Sequence, residues 1–394
     1  MQWALSILPA AGLGATARAQ AQVPVPVEHT VPIDPSERAP FSAPDGSIEY
    51  ERPSAPCLTS TQRLQIRRAV ASNQRMLIAS GAFVRSPSHL VRFGWPLNAV
   101  GSAAEGFGYH AISGFMDHDL TFPGNLLDYD CGTRTYDGSA GNHKGTDIFG
   151  WPYYWTWMHS DELQAVAAAP GIIMLTADGN FDENCANMGG VQWNGVIIQH
   201  LDGSVAWYGH LKAGSLTTKV IGDRVVMGEY LGVLGSSGNS NGPHLHFEVY
   251  DQHDQRVDPF AGPCNTLNAR SWWLQQRPYY DSAINRLLIG NAPVSRPPCP
   301  GDLVTNEVSS IPRGTNGVFT TFYRDQLGTQ TSTYRILRPG GTVYSSWTHT
   351  STVPHHTVSG PYWTRSIPPG APTGTWTFEV TFDGLVYSKT FQVI

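Results

Sequence analysis

Leu231-Gly-Val-Leu-Gly-Ser-Ser-Gly-Asn-Ser-Asn-Gly-Pro-His-Leu-His-Phe-Glu-Val-Tyr250 passes from an apolar run, through turn-forming residues, into an alternating segment. Gly, Ser, Asn and Pro in the middle mark a loop. From His244 to Tyr250 polar and apolar residues alternate over most of the length. In a strand, successive side chains point to opposite faces. His244, His246 and Glu248 therefore share one face, and Leu245, Phe247 and Val249 the other. The two imidazoles stand on that face ~6.7 Å apart. Upstream, Val196-Ile-Ile-Gln-His-Leu201 and Ser204-Val-Ala-Trp-Tyr208 flank Asp202-Gly203. Asp-Gly between two β-type runs is a strong hairpin signal. Val166–Leu175, Val225–Met227 and Tyr230–Leu234 add further apolar runs. The expectation is an antiparallel sheet over about 165–262.

The rest of the chain supports a mainly β protein with flanking parts. It has 394 residues, of which 41% are hydrophobic and only 14% charged, against a typical ~25% charged. A net charge of −6 gives no electrostatic footprint for nucleic acid. The many aromatics and 41 Gly suggest strands and turns. Trp3–Ala15, followed by Ala-Arg-Ala and Ala-Gln-Ala, resembles a secretory signal over 1–21, although no Lys or Arg precedes it. It is too short and interrupted for a membrane span of ~20 residues. Residues 22–56 read as a flexible linker. Within 57–92, Thr59 or Ser60 caps a helix to about Ser80, with Leu64, Ala69, Val70 and Leu77 at helical spacing. Residues 93–262 form the next unit. Residues 263–300 are a connector, with Trp272–Leu274 in a short helix. Strands recurring over 301–394 indicate an immunoglobulin-like β-sandwich, with Trp347, Trp363 and Trp376 either in its core, the favoured reading, or candidates for wall contact. None of the five cysteines lies in a C-x-x-C pair. In an exported chain they form disulfides, with Cys131–Cys185 the first expected bridge and one cysteine left over.

Three short pieces carry chemistry: His143-Lys-Gly-Thr-Asp147, Tyr208-Gly-His210 and His244-Leu-His246. Catalytic zinc takes three protein ligands and leaves a position open. His143, Asp147 and one of the two strand histidines supply that set; spacing alone does not say which. Two histidines then remain to handle protons and to stabilise an oxyanion.

These pieces, with Trp207-Tyr-Gly-His-Leu211, Gly222-Asp-Arg-Val-Val226, the Leu231–Glu248 stretch and Val257-Asp-Pro-Phe260, resemble peptidase family M23. These are the lysostaphin- and LytM-like zinc metalloendopeptidases with the duplicated hybrid motif. The resemblance covers about residues 93–262 and implies an antiparallel β-sheet domain with one zinc per chain. It implies His143, Asp147 and His246 as metal ligands, and His210 and His244 as the catalytic pair. It further implies a secreted or periplasmic monomer that cuts peptide bonds in bacterial peptidoglycan, at cross-links or Gly-rich bridges, through a zinc-activated water. The competing readings are a non-catalytic wall- or partner-binding protein of the same fold, and an extracellular proteinase on Gly-rich proteins. Glu248 is either a partner of a ligand histidine or a plain strand carboxylate. The aromatic run Ile148–Met158 after Asp147 is either a groove wall or a satellite core. The long loop Asp178–Trp193 is a candidate for the opposite wall. Residues 57–90 are either a pro-segment over the site, as the family often carries, or a structural flank. No inhibitory ligand is identifiable in them.

Overall fold

The computed structural model describes residues 42–48, 57–83, 86, 91–121, 124–138, 141–186 and 191–394. The expected signal segment, 1–21, lies outside them. Of the expected linker only 42–48 is described, and it is docked. Ser42 N donates to Thr348 O and Asp45 N to Tyr362 O, both at 2.9 Å.

The protein is mainly β. One antiparallel sheet positions the site. Its strands, in chain order, are β1 (His110–Gly114), β2 (Thr146–Gly150), β3 (Gly171–Ala177), β4 (Gly195–Gln199), β5 (Val205–Gly209), β6 (Arg224–Val225), β7 (His244–Tyr250) and β8 (Arg256–Val257). The spatial order is β6-β3-β4-β5-β7-β2-β1, with β8 also on β7. The Asp202-Gly203 hairpin forms, pairing Gln199 with Val205. The run from Val166 to Leu175 divides between two strands: Leu163–Val166 joins a smaller sheet with Leu97–Ala99 and Tyr230–Val233, and Gly171–Ala177 joins the large one.

The alternation along β7 separates two cores. Leu245, Phe247 and Val249 enter the main core, together with Leu163, Ala165 and Leu231 of the smaller sheet. Each of these Leu, Val and Phe side chains, fully buried, contributes about 1.5–3 kcal/mol. On the opposite face, helix α1 (Ser60–Ala79) lies against the sheet. Leu58 and Leu77 there pack with Ile172, Met174, Trp193, Trp207 and Tyr250. A capping box starts α1: Thr59 Oγ1 accepts from Gln62 N, and Gln62 Oε1 accepts from Thr59 N. With both faces covered and strands on either side, every residue of β7 is buried.

Beyond residue 280 two further sheets enclose a separate core. Ala283–Gly290, Asn316–Leu327, His355–Ser359 and Tyr362–Ser366 form one. Thr331–Leu337, Val343–Thr350, Gly374–Phe382, Leu385–Val393 and the short Ser310–Ile311 form the other. Trp347, Trp363 and Trp376 lie between them, at most 2% exposed. Ala283–Gly290, inside the expected connector, is a full strand of the first sheet. Trp272–Leu274 forms no helix; Trp273 bridges Phe93 instead. The two parts of the molecule share structure. Leu288, Phe322 and Val358 belong to the main core. Asn285 Nδ2 donates to His110 O and Trp151 O, at 3.0 and 3.1 Å, and Arg134 pairs with Asp325 at 2.6 Å.

The cysteines pair as Cys131–Cys264 and Cys185–Cys299, leaving Cys57 free and buried. This corrects the expected Cys131–Cys185 bridge. Cys264 N donates to Tyr129 O, which lays the segment after Phe260 beside the Cys131 turn. The Cys185 loop instead runs along Ser236–Ser240 and reaches Cys299.

Candidate metal centre and active site

Strand order brings the three sequence pieces together. β7 lies between β2 and β5, and His246 is in register with Asp147 on one side and Gly209 on the other. His143 lies just before β2, and His210 follows β5 directly. Two glycines permit this closeness. A Cβ on Gly145 would meet the His246 ring at 2.8 Å, and one on Gly209 would overlap the Trp193 ring at 1.8 Å. His210 itself has φ +65°, a region that few non-glycine residues occupy.

Five residues named from the sequence meet at one point, none more than 1% exposed. Asp147 Oδ1 lies 3.2 Å from His143 Nε2 and 2.8 Å from His246 Nδ1, and those two nitrogens are 3.3 Å apart. The other ring nitrogens are engaged elsewhere. His143 Nδ1 donates to Phe115 O at 2.6 Å, and His246 Nε2 donates to Glu248 Oε2 at 2.9 Å. Each ring thus turns its remaining nitrogen toward Asp147. Such outer partners fix tautomer and orientation in metal sites. His210 and His244 repeat the arrangement: their Nδ1 groups donate to Ser237 O at 2.6 Å and Gly242 O at 2.9 Å. Their Nε2 atoms are buried without a hydrogen-bond partner, and their rings are 4.3 Å apart.

The charges are coupled. Burial opposes ionisation of Asp147, but the imidazoles of His143 and His244 outweigh it and hold the carboxyl well below its usual range. Burial likewise opposes a charged Glu248, and Arg63 beside it outweighs that and holds it low. Burial pushes His210 below the ordinary imidazole value. The donor set fits a divalent cation. His143, Asp147 and His246 offer imidazole and carboxylate atoms that, with Cys57 Sγ, all lie within 4.8 Å of one another. Imidazole and carboxylate donors suit zinc, and the two orphaned Nε2 atoms next to them suit a reacting group that both rings would touch.

Several contributors were not named from the sequence. Tyr136 stacks on His143 with ring centroids 4.2 Å apart and donates from its hydroxyl to Asp147 Oδ2 at 2.5 Å. Trp193 stands edge-on to His210 at 5.3 Å. Arg63 reaches from α1 to Glu248 and, at 3.3 Å, to Tyr250 Oη. Cys57 Sγ lies 3.4 Å from His246 Nδ1. No local pattern announces Tyr136 or Cys57. Ser237 and Ser240 lie in the turn-rich stretch before His244, where the composition already pointed. The aromatic run after Asp147 is core: Trp151, Tyr153 and Trp157 join the main cluster, and Trp155 is 4% exposed.

Residues 142–259 match the family model for Peptidase family M23. Over 113 residues the chain is 36% identical to the peptidoglycan DD-endopeptidase ShyC of Vibrio cholerae serotype O1, covering 28% of this chain and 21% of that protein. Over 56 residues it is 43% identical to the DD-carboxypeptidase/endopeptidase Mpg of Neisseria meningitidis serogroup B, covering 14% and 12% respectively. The chain spans from about an eighth to about a fifth of the length of these curated relatives. Among solved structures, a mutant catalytic domain of the prophage-encoded M23 protein EnpA from Enterococcus faecalis is 22% identical, covering 41% of this chain and 92% of that one at a TM-score of 0.25. The stretch that matches the family model contains all five residues gathered at the centre of the sheet.

Proposed function

We propose that the chain is a secreted zinc metalloendopeptidase that hydrolyses peptide bonds of bacterial peptidoglycan, acting as a monomer in the periplasm or outside the cell. The observation that carries this reading is the convergence of His143, Asp147 and His246 beside two buried imidazoles whose Nε2 atoms have no hydrogen-bond partner. The names of the relatives point to the substrate class. Two disulfides favour an oxidising compartment. Among the described residues no helix is long and apolar enough to cross a membrane.

His143 Nε2, Asp147 and His246 Nδ1 would hold the zinc. When bound, the metal polarises a scissile carbonyl and brings the pKa of water toward ~7. The chain's own residues do the rest. The Phe115 carbonyl and Glu248 keep the ligand rings turned inward. Tyr136 holds the second oxygen of Asp147. Two imidazolium rings 4.3 Å apart would repel, so one of His210 and His244 stays neutral. Burial favours His210 in that state. His210 then takes the proton of the attacking water at Nε2. His244, its Nδ1–H fixed on Gly242 O, offers an Nε2–H to the developing oxyanion.

The test is mass analysis of peptidoglycan fragments after digestion by the chain, with His244→Ala as control. New paired amine and carboxylate ends in the peptide portion, absent with the variant, are expected. Fragments identical with and without the chain, for Cys57→Ser as well as for the parent, would refute the activity. Products unchanged by the variant would remove His244 from the mechanism.

A further inference from the structure

The segment just before α1 enters the site directly. Cys57 is 3% exposed, and its sulfur lies 3.4 Å from His246 Nδ1 and 3.6 Å from Tyr136 Oη. It joins the three metal-ligating atoms in one group within 4.8 Å, and also forms such a group with His210 and His244. In those two residues, 0% and 1% exposed, Nδ1 is held by a backbone carbonyl and Nε2 has no hydrogen-bond partner. The thiol thus stands on the side of the metal donors where a reacting group has to sit. The other four cysteines are tied in bridges. A buried, reduced cysteine in a disulfide-bearing chain is therefore placed here by the fold rather than left over.

The residues after Cys57 keep it there. The capping box on Thr59 sets where α1 begins, and so where Cys57 and Leu58 point. Gln62 Nε2 donates to Val191 O at 2.8 Å, and Asn73 Nδ2 to Met174 O at 2.9 Å. Arg63 pairs with the buried Glu248, and Arg67 lies 4.6 Å over the Tyr250 ring and 3.0 Å from Asp254. The helix is fastened at its start, at its middle and on its apolar side. Under it, no ligand or catalytic histidine has surface for a peptide to reach.

Resting on the metal site proposed above, we propose that Cys57 is a fourth protein ligand that closes the metal's open position, and that residues 57–79 form a latency segment over the active site. Catalytic zinc sites keep one position free, whereas sites with four protein ligands are structural. Cysteine coordination converts the first kind into the second, and withdrawal of the segment restores the first. On binding, the sulfur gives its proton to solvent; no electron is transferred. Activation is displacement of α1 together with the thiolate, after which Glu248 loses Arg63 and the rings of His210 and His244 face substrate.

The full-length chain with its disulfides intact, loaded with Co2+, tests this. The expected spectrum has a thiolate-to-cobalt charge-transfer band in the near ultraviolet, at one cobalt per chain. Only Cys57 can supply it, because the remaining cysteines are bridged. In Cys57→Ser the band disappears and the stoichiometry stays at one. Cobalt bound at one per chain by the parent without that band overturns the inference and leaves the metal site standing. If the chain binds no cobalt, the underlying metal reading falls as well. The parent spectrum decides the point even if the variant fails to fold. With zinc, Cys57→Ser is expected to cut peptidoglycan fragments about ten-fold faster or more, since only the open fraction of the parent is competent. Equal rates overturn the latency role.

Discussion

Replacing Glu248 by Gln separates two jobs that one buried carboxylate performs. One oxygen of Glu248 accepts from His246 Nε2 at 2.9 Å, and the other meets Arg63 and Tyr250 Oη. Gln keeps the shape and removes the charge. On the metal side, the His246 ring loses an anionic partner, and such losses lower metal affinity ~10–100-fold, or about 1.4–2.7 kcal/mol. On the stability side, Arg63 is left in a site where its side chain is 9% exposed, and an unpaired buried charge costs about 3–5 kcal/mol. The double variant Arg63→Met, Glu248→Gln divides the two effects. Removing both charges returns most of the stability, but the loss of metal affinity persists. Competition with a chromophoric zinc chelator measures the first quantity and urea unfolding of the metal-free chain the second. A Glu248→Gln chain with zinc affinity unchanged within about two-fold would refute the claim that Glu248 supports His246. Acid gives the same contrast. The carboxyl of Glu248 is held below its ordinary value. Its stabilising contribution is therefore full above about 4.3 and lost as pH falls through the depressed native value.

Three further outcomes are expected. His246→Ala abolishes metal binding and hydrolysis together, whereas His210→Ala retains the metal and loses ~10²–10⁴-fold in turnover; metal analysis beside kinetics checks both, and a metal-free His210→Ala would refute the division of roles. Burial lowers the pKa of His110 to about 3, so the unfolded chain binds its proton first and stability falls as pH drops from ~6.5 toward that value; the thermal midpoint followed against pH should lose this slope in His110→Gln, and an unchanged slope would assign it elsewhere. Trp155→Ala, at a 4% exposed position, costs about 3–5 kcal/mol and lowers activity equally on intact wall and on a short peptide; a selective loss on wall would restore the groove-wall reading.

Local signals carried the reading of the strand and of the hairpin. Asp202-Gly203 and the alternation from His244 to Tyr250 are written into consecutive residues, and the segments they specify form. The gathering of His143, Asp147, His210 and His246 was available only through the order of the motifs, since no local spacing puts β7 between β2 and β5. The polar face of β7 has the alternation of a solvent-facing strand, yet it is buried. What covers it is α1, from far upstream in the chain. The cysteines show the same limit: their bridges join positions 133 and 114 residues apart. Their closeness to the site in sequence therefore said nothing of their partners. Ala283–Gly290 escaped notice because its register slips between Ile284 and Arg286, which breaks the alternation by which a strand is recognised.

Asn285, Arg134 and the shared core residues weld the C-terminal sheets to the sheet that carries the site, across a strand that the sequence presented as a tether. A catalytic unit on a flexible tether sweeps a volume and can choose among many bonds around its anchor. A unit welded to its neighbour works like a jig. Whatever surface the C-terminal sheets rest against would meet the His143–Asp147–His246 centre at one fixed distance and one fixed angle. Selectivity among chemically identical bonds in a large, repetitive substrate can then come from where the protein stands, with no further contact near the metal. Lengthening the chain on either side of Ala283–Gly290 would leave the chemistry intact and scatter the positions of the cuts.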